Sequence, residues 1–253
     1  MHDNPFQSPA SVEYQPPNPA WRVPWGKIAL GIVALFVLAA LFLPQIGRGG
    51  GRQSAYRNAC LNNLSTIGQA FKAYYDEHQV YPPAYTVDAN GNPLHSWRTL
   101  LLPYLGEEAL YKTIDLTKPW DDPVNAQALQ TQVNTYQCAA ADLPPNHTGY
   151  LAIVTPQSCL RPGKSATKQE QTDDPDKTAM VVEVPNEKSV PWMSPNDADE
   201  TLFVDQMRDK EQTANWPHMG TNHVLFVAGN TQTIDSETPA AERRAMITIA
   251  GGD

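Results

Sequence analysis

Sixteen consecutive residues without a charge, Ile28 to Leu43 (IALGIVALFVLAALFL), constrain this chain more than any other stretch. At about 1.5 Å per residue a helix of that length covers roughly 24 Å, and Trp25 and Ile46 extend it close to the thickness of a bilayer core. The run is apolar on every helical face, which a helix packed by one side onto a globular core does not need. Residues 25–46 are therefore expected to form one transmembrane helix whose partner is the lipid bilayer, through Ile28 to Leu43. A cleaved signal peptide fits less well, because the preceding segment is long and proline-rich and no small-x-small cleavage site follows Leu43. The run reads as an uncleaved signal anchor, and residues 1–24 as a disordered tail.

Beyond the run the pattern breaks. Gly49, Gly50 and Gly51 stand in a row between Arg48 and Arg52, and each glycine costs a helix about 1 kcal/mol relative to alanine. A hinge is expected over residues 47–53, tethering the remainder flexibly. About 200 residues follow, 54–253, enough for one domain with a sizeable core. Positive charge lies on both sides of the run, Arg22 and Lys27 before it and Arg48, Arg52 and Arg57 after it, so counting alone mildly favours a cytoplasmic domain. The formal net charge of −9 and the scattered histidines provide no basic stripe for phosphates, which excludes nucleic acid as a partner.

Within 54–253 the first signal is a helix. Leu61, Leu64, Ile67, Phe71, Tyr74 and Tyr75 recur every three or four residues between Ser54 and His78, and Tyr81-Pro82-Pro83 stops the pattern. Gly68, on the edge of the stripe, would let another backbone approach closely. Asn90-Gly91 marks a turn, Ser96 can cap a short helix, Glu107 to Ile114 suits a second, and Asp122-Pro123 looks like a cap followed by proline at the first helical position. Strand patterns follow at Tyr150 to Val154, Thr178 to Val184, Asn222 to Val227 and Thr231 to Ile234. The last two form a hairpin around Ala228-Gly229-Asn230. Ala240 to Ala250 suits a closing helix. The order predicts an α+β domain, an amphipathic helix on an antiparallel sheet with the helices on one face.

Several segments, taken together, resemble the bacterial family catalogued as domain of unknown function 1559 (DUF1559). They are RNACLNNLSTIGQAFKAYYDEHQVYPPA (Arg57 to Ala84, with Asn62, Asn63, Pro82 and Pro83), SWRTLLLPYLGEEALY (Ser96 to Tyr111, with Trp97), PWDDPVN (Pro119 to Asn125) and YQC (Tyr136 to Cys138). MVVEV (Met180 to Val184, with Glu183) and HMGTNHVLFVAGNTQTI (His218 to Ile234, with Gly229) complete the set in family order. The resemblance implies a prepilin-like chain, similar at its N-terminus to type IV pilins and type II secretion pseudopilins, with its domain outside the cytoplasm. Two departures stand out. Ala228 occupies the place of the aspartate in the family's His-x9-Asp-Gly signature, and neither the prepilin processing site nor the pilin glutamate is present. These departures, with the glycine run, point to stationary display rather than polymerisation.

Three cysteines, Cys60, Cys138 and Cys159, have neither CxxC spacing nor a histidine at zinc-finger distance, so no metal site is expected from spacing. They are three buried thiols or, outside the cytoplasm, one disulfide with Cys60–Cys138 the favoured pair. No catalytic set is evident: there is no Gly-x-Ser-x-Gly elbow, Ser158-Cys159 lacks a neighbouring base, and His218 and His223 suit packing and hydrogen bonding. The carboxylates Asp121, Asp122, Glu183, Asp197 and Asp205 have no spacing that requires them to meet. Calcium in the Asn196 to Glu200 loop is a conceivable alternative to solvated loop charges, although no EF-hand spacing is present. Trp192 and Trp216, beside prolines and polar loops, are candidates for a contact face toward a glycan or an envelope protein. The expectation is a non-enzymatic interaction module without cofactors, with a homo-oligomeric pseudopilin-like subunit as the alternative.

Overall fold

The computed structural model describes residues 25–164, 166–208, 218 and 221–252, with the side chains of 39–53 outside that description. The tail expected over 1–24 and Trp216 lie outside the described residues. The chain divides into two units, Met1–Gly49 and Gly50–Asp253.

The first helix, α1, runs over Trp25–His78. The backbone of residues 47–53 is helical, not the interruption that the glycine run predicts. A penalty of about 1 kcal/mol per glycine disfavours a helix without forbidding one that is already nucleated on both sides. Trp25, Leu30, Leu35 and Phe36 are each 70–77% exposed, and the intervening apolar residues up to Leu38 are also exposed. Among the described residues no helix is long and apolar enough to cross a membrane.

From Cys60 onward α1 shows the expected stripe. Cys60, Leu64, Ile67 and Phe71 recur at helical spacing and are each at most 1% exposed. Tyr75 is also buried, whereas Leu61 and Tyr74 lie at the edge. The helix ends at His78, with Gln79 in the left-handed region (φ 61°), where its N–H still reaches the Tyr75 carbonyl at 2.7 Å. Gly68 is a point of close approach: a Cβ there would lie 2.8 Å from Leu225 Cδ1 and 3.3 Å from the Gly229 carbonyl oxygen.

The strands that follow are short. β1 (Tyr85–Val87) and β2 (Pro93–Ser96) form a hairpin whose turn uses Gly91 at φ 85°. Three one-turn helices come next, α2 (Trp97–Leu100), α3 (Glu108–Tyr111) and α4 (Ala126–Leu129). Asp122 caps the turn leading into α4, its carboxylate accepting from Val124 N at 3.0 Å, with Pro123 next in line as expected. Ser96 makes no such cap; its hydroxyl donates to the Trp192 carbonyl instead.

β3 (His147–Thr148) and β6 (Val190–Pro191) pair as a two-residue ribbon. The main sheet has four antiparallel strands in the order β4 (Tyr150–Ala152), β5 (Ala179–Glu183), β7 (Thr221–Phe226), β8 (Thr231–Asp235). Alternation along the strands sends Tyr150, Ala152, Val181, Leu225 and Val227 toward α1. Leu151, Val182, Val224, Phe226 and Ile234 face the opposite side. There they meet α5 (Glu200–Val204) and the C-terminal segment around α6 (Ala240–Ala245). The domain is α+β as expected, but its helices lie on both faces of the sheet. The second layer comes from two helices of five and six residues, too short for a periodic stripe to reveal their buried side.

Candidate functional site

Five chemistry-bearing side chains converge where α1 crosses the sheet. Cys60 leads the buried stripe of α1, and Cys138 follows a 3₁₀ turn over Asn134–Tyr136. The two form a disulfide with a Cα–Cα distance of 5.2 Å, the pairing favoured from the sequence, and Cys159 remains free. Glu183 lies two residues after Val181 on β5, so it points to the same α1-facing side. The β5–β7 register pairs Val181 with Leu225 and Val182 with Val224, which brings Glu183 opposite His223. His218, just before β7, completes the group.

Glu183, His218, His223, Cys60 and Cys138 are all buried. Glu183 Oε2 lies 2.8 Å from His223 Nδ1 and 3.5 Å from His218 Nε2. His218 Nε2 in turn lies 3.5 Å from Cys138 Sγ, and the two imidazole rings have centroids 4.3 Å apart. Burial pushes the Glu183 carboxyl up, but the adjacent histidines outweigh it and hold it below the ordinary value. Among the described residues neither carboxylate oxygen of Glu183 and neither ring nitrogen of His223 has a well-directed hydrogen bond. Buried polar atoms are nearly always paired, so this cluster departs from the norm. One atom each from Cys60, Cys138, Glu183 and His218 fall within 4.8 Å of one another.

Other expectations resolve differently. Trp192 is 1% exposed, and its Nε1–H donates to the Thr131 carbonyl at 3.0 Å. It is a core residue and no contact surface: packing against Tyr136 claims its ring. The Asn196 to Glu200 loop is no open calcium cradle. Asp197 is buried against Arg98 at 2.7 Å, Asp199 caps α5 through Leu202 N, and Glu200 binds Arg244. Among the described residues Asp121, Asp122, Asp197 and Asp205 join no cluster with Glu183. Cys159 is a buried thiol that burial pushes up to about 12, so it is protonated at neutral pH.

The residues of the resemblance have distinct roles. Asn63 Nδ2 donates to the Gln137 carbonyl at 2.7 Å beside the disulfide, while Asn62 is exposed. Pro82 is buried and Pro83 half-buried at the end of the helix turn. Trp97 is fully buried, stacked on Phe71 at 5.1 Å. Gly229 takes φ 94° in the β7–β8 turn. Ala228 donates its N–H to the Pro175 carbonyl at 2.9 Å. It lines a cavity of about 540 Å³ with Phe71, Tyr75, Tyr81, Lys168 and Gly229. Lys168 Nζ there sits 4.3 Å above the Tyr75 ring.

Sequence spacing missed the convergence because its members come from four separate segments. The only signal was that Cys60, Cys138, Glu183 and His218 each fall in a different motif of the resemblance. The family model described as "Protein of unknown function (DUF1559)" matches residues 50–234. No curated protein and no solved structure matches the chain.

Proposed function

The chain belongs to the DUF1559 family, and on that premise we propose that it is a non-enzymatic, membrane-anchored interaction module of the cell envelope, its domain outside the cytoplasm. The observation that carries this reading is the amino-terminal part of α1, where Trp25, Leu30, Leu35 and Phe36 are left bare. Apolar surface in water costs about 25 cal/mol per Å², a cost that hydrocarbon removes. In the sequence the same apolar run continues to Leu43. The Cys60–Cys138 disulfide supports an oxidising compartment, against the mild opposite tendency of the flanking arginines. The backbone through residues 47–53 is helical. It leaves room for the pseudopilin-like alternative, in which copies assemble into a homo-oligomer and cross-linking in membranes yields ladders.

The test is protease accessibility of a C-terminal tag in intact and lysed spheroplasts. The reading expects digestion in intact spheroplasts and co-sedimentation with membranes. Protection until lysis would place the domain in the cytoplasm and sink it.

A second reading, a binding module for a small ligand, is favoured by the cavity of about 540 Å³ with its aromatic walls and Lys168. Such a lining suits a ligand with an apolar body and an acidic group. Thermal-shift screening of small carboxylates and acidic sugars against wild type and Ala228→Phe tests it. Shifts shared by both chains would count against the cavity.

A further inference from the structure

We infer that the reduced chain holds one zinc ion at Cys60, Cys138, Glu183 and His218, and that forming the Cys60–Cys138 disulfide expels it. The inference concerns the interior of the domain and is independent of where the chain is anchored.

Zinc takes thiolate, imidazole and carboxylate ligands at about 2.0–2.3 Å, and in structural sites it takes four of them as a tetrahedron. That geometry sets ligand atoms roughly 3.3–3.8 Å apart. Two edges of the tetrahedron are already present, both from His218 Nε2: 3.5 Å to Cys138 Sγ and 3.5 Å to Glu183 Oε2. All four ligand atoms lie within 4.8 Å of one another, so the two bonded sulfurs must separate and the other edges need shift by no more than about 1.5 Å to reach that range. His223 occupies the next position out, with Nδ1 2.8 Å from Glu183 Oε2. A histidine there orients the carboxylate, as outer partners of metal ligands commonly do.

The second observation is the shortage of hydrogen bonds. A buried carboxylate without a well-directed donor on either oxygen is costly unless another species completes it. A divalent cation would complete a carboxylate that the two histidines approach at 2.8 and 3.5 Å without a well-directed bond. Thiolate with imidazole and carboxylate suits zinc better than calcium or magnesium, which prefer all-oxygen shells.

The exchange balances. An incoming disulfide oxidant accepts two electrons from the zinc-bound thiolates of Cys60 and Cys138. Their sulfur–sulfur bond forms as the oxidant's breaks, and the two thiolates released from the oxidant take up two protons. Zinc then retains only Glu183 and His218 and dissociates. In reverse, a dithiol reductant restores two thiols, and zinc displaces their protons.

The experiment uses the full chain in mild detergent, reduced with a phosphine, desalted, and titrated with zinc or with cobalt as a coloured probe. One metal per reduced chain is expected, with a thiolate-to-cobalt charge-transfer band. Oxidised glutathione should release the metal in step with the loss of two titratable thiols. Glu183→Gln should weaken binding at least about tenfold, the double change Cys60→Ser with Cys138→Ser should remove the charge-transfer band, and Cys159→Ser should leave binding unchanged. The wild-type melting temperature gives a readout that depends on no variant: zinc should raise it in the reduced chain and not in the oxidised one. Equal zinc uptake by the oxidised chain, no uptake by the reduced chain, or no zinc-dependent rise would each overturn the inference.

Discussion

Arg98 and Glu183 are both buried charges of this domain, and they are treated in opposite ways. Arg98 is fully buried, and its guanidinium donates five hydrogen bonds. Nε reaches the Trp192 carbonyl, Nη1 the Tyr150 carbonyl and Asp197, and Nη2 the carbonyls of Ser194 and Asn196, all at 2.7–3.1 Å. Asp197 Oδ1 also accepts from Ala152 N and Trp97 Nε1. Glu183 is as deeply buried, yet it faces two histidines and no well-directed donor. The first arrangement gathers four backbone carbonyls around one cation and fixes the chain. The second leaves donor capacity unfilled, and the difference separates a group that holds the fold from one kept for another purpose.

The largest expected effect tests the first half of that contrast. Arg98→Met leaves the buried Asp197 carboxylate without its cation and takes a donor from each of four carbonyls, and should cost about 3–5 kcal/mol in denaturant unfolding. A loss below about 1 kcal/mol would show that the network is not structural. Next comes the covalent support beside Glu183. The double change Cys60→Ser with Cys138→Ser opens a link spanning 78 residues and should lower stability by about 2–4 kcal/mol in the same assay. Smaller again is Glu183→Gln without metal. It removes a charge that lacks hydrogen bonds and should shift stability by about 1 kcal/mol or less, in either direction. A loss as large as that of Arg98→Met would erase the distinction.

A third carboxylate gives the finest test, through pH. Burial pushes Asp173 up, but the N–H groups of Gly251 and Gly252 and the Thr248 hydroxyl outweigh it and hold the carboxyl below its ordinary 3.8. Its stabilisation is therefore fully present above about pH 4 and is lost as pH falls through the lowered folded value. Stability measured from pH 5 down to pH 2 should show a shallower acid decline in Asp173→Asn than in wild type. Identical declines would mean that this satisfied carboxylate contributes nothing to the acid limb.

Much of the scaffold was legible in the sequence, because local periodicity encodes it. Leu64, Ile67, Phe71 and Tyr75 marked the buried stripe, the Ala228-Gly229-Asn230 turn marked the hairpin, and Asp122-Pro123 marked its own cap. What was not legible depended on contacts between distant segments. Trp192 beside Pro191 reads as a loop aromatic, and only its packing on Tyr136 and its bond to Thr131 make it core. Asp197 reads as one more acid in a polar loop until Arg98, 99 residues away, reaches it. The second helical layer was hidden by the shortness of α5 and α6. At the candidate site each member could be picked out within its own motif, but their meeting is a property of the β5–β7 register and the crossing of α1.

The position of the disulfide along α1 has a mechanical consequence. Cys60 is the first residue of the helix's buried stripe, ahead of Leu64, Ile67 and Phe71. Tension applied from the amino-terminal end of α1 therefore reaches a covalent cross-link to Cys138 before it reaches any packed side chain. A helix held by packing alone peels off one contact at a time, each yielding at a low load. Here the pull is diverted through Cys138 into the body of the domain, so the oxidised form behaves as a riveted strut and the reduced form as one that can be stripped.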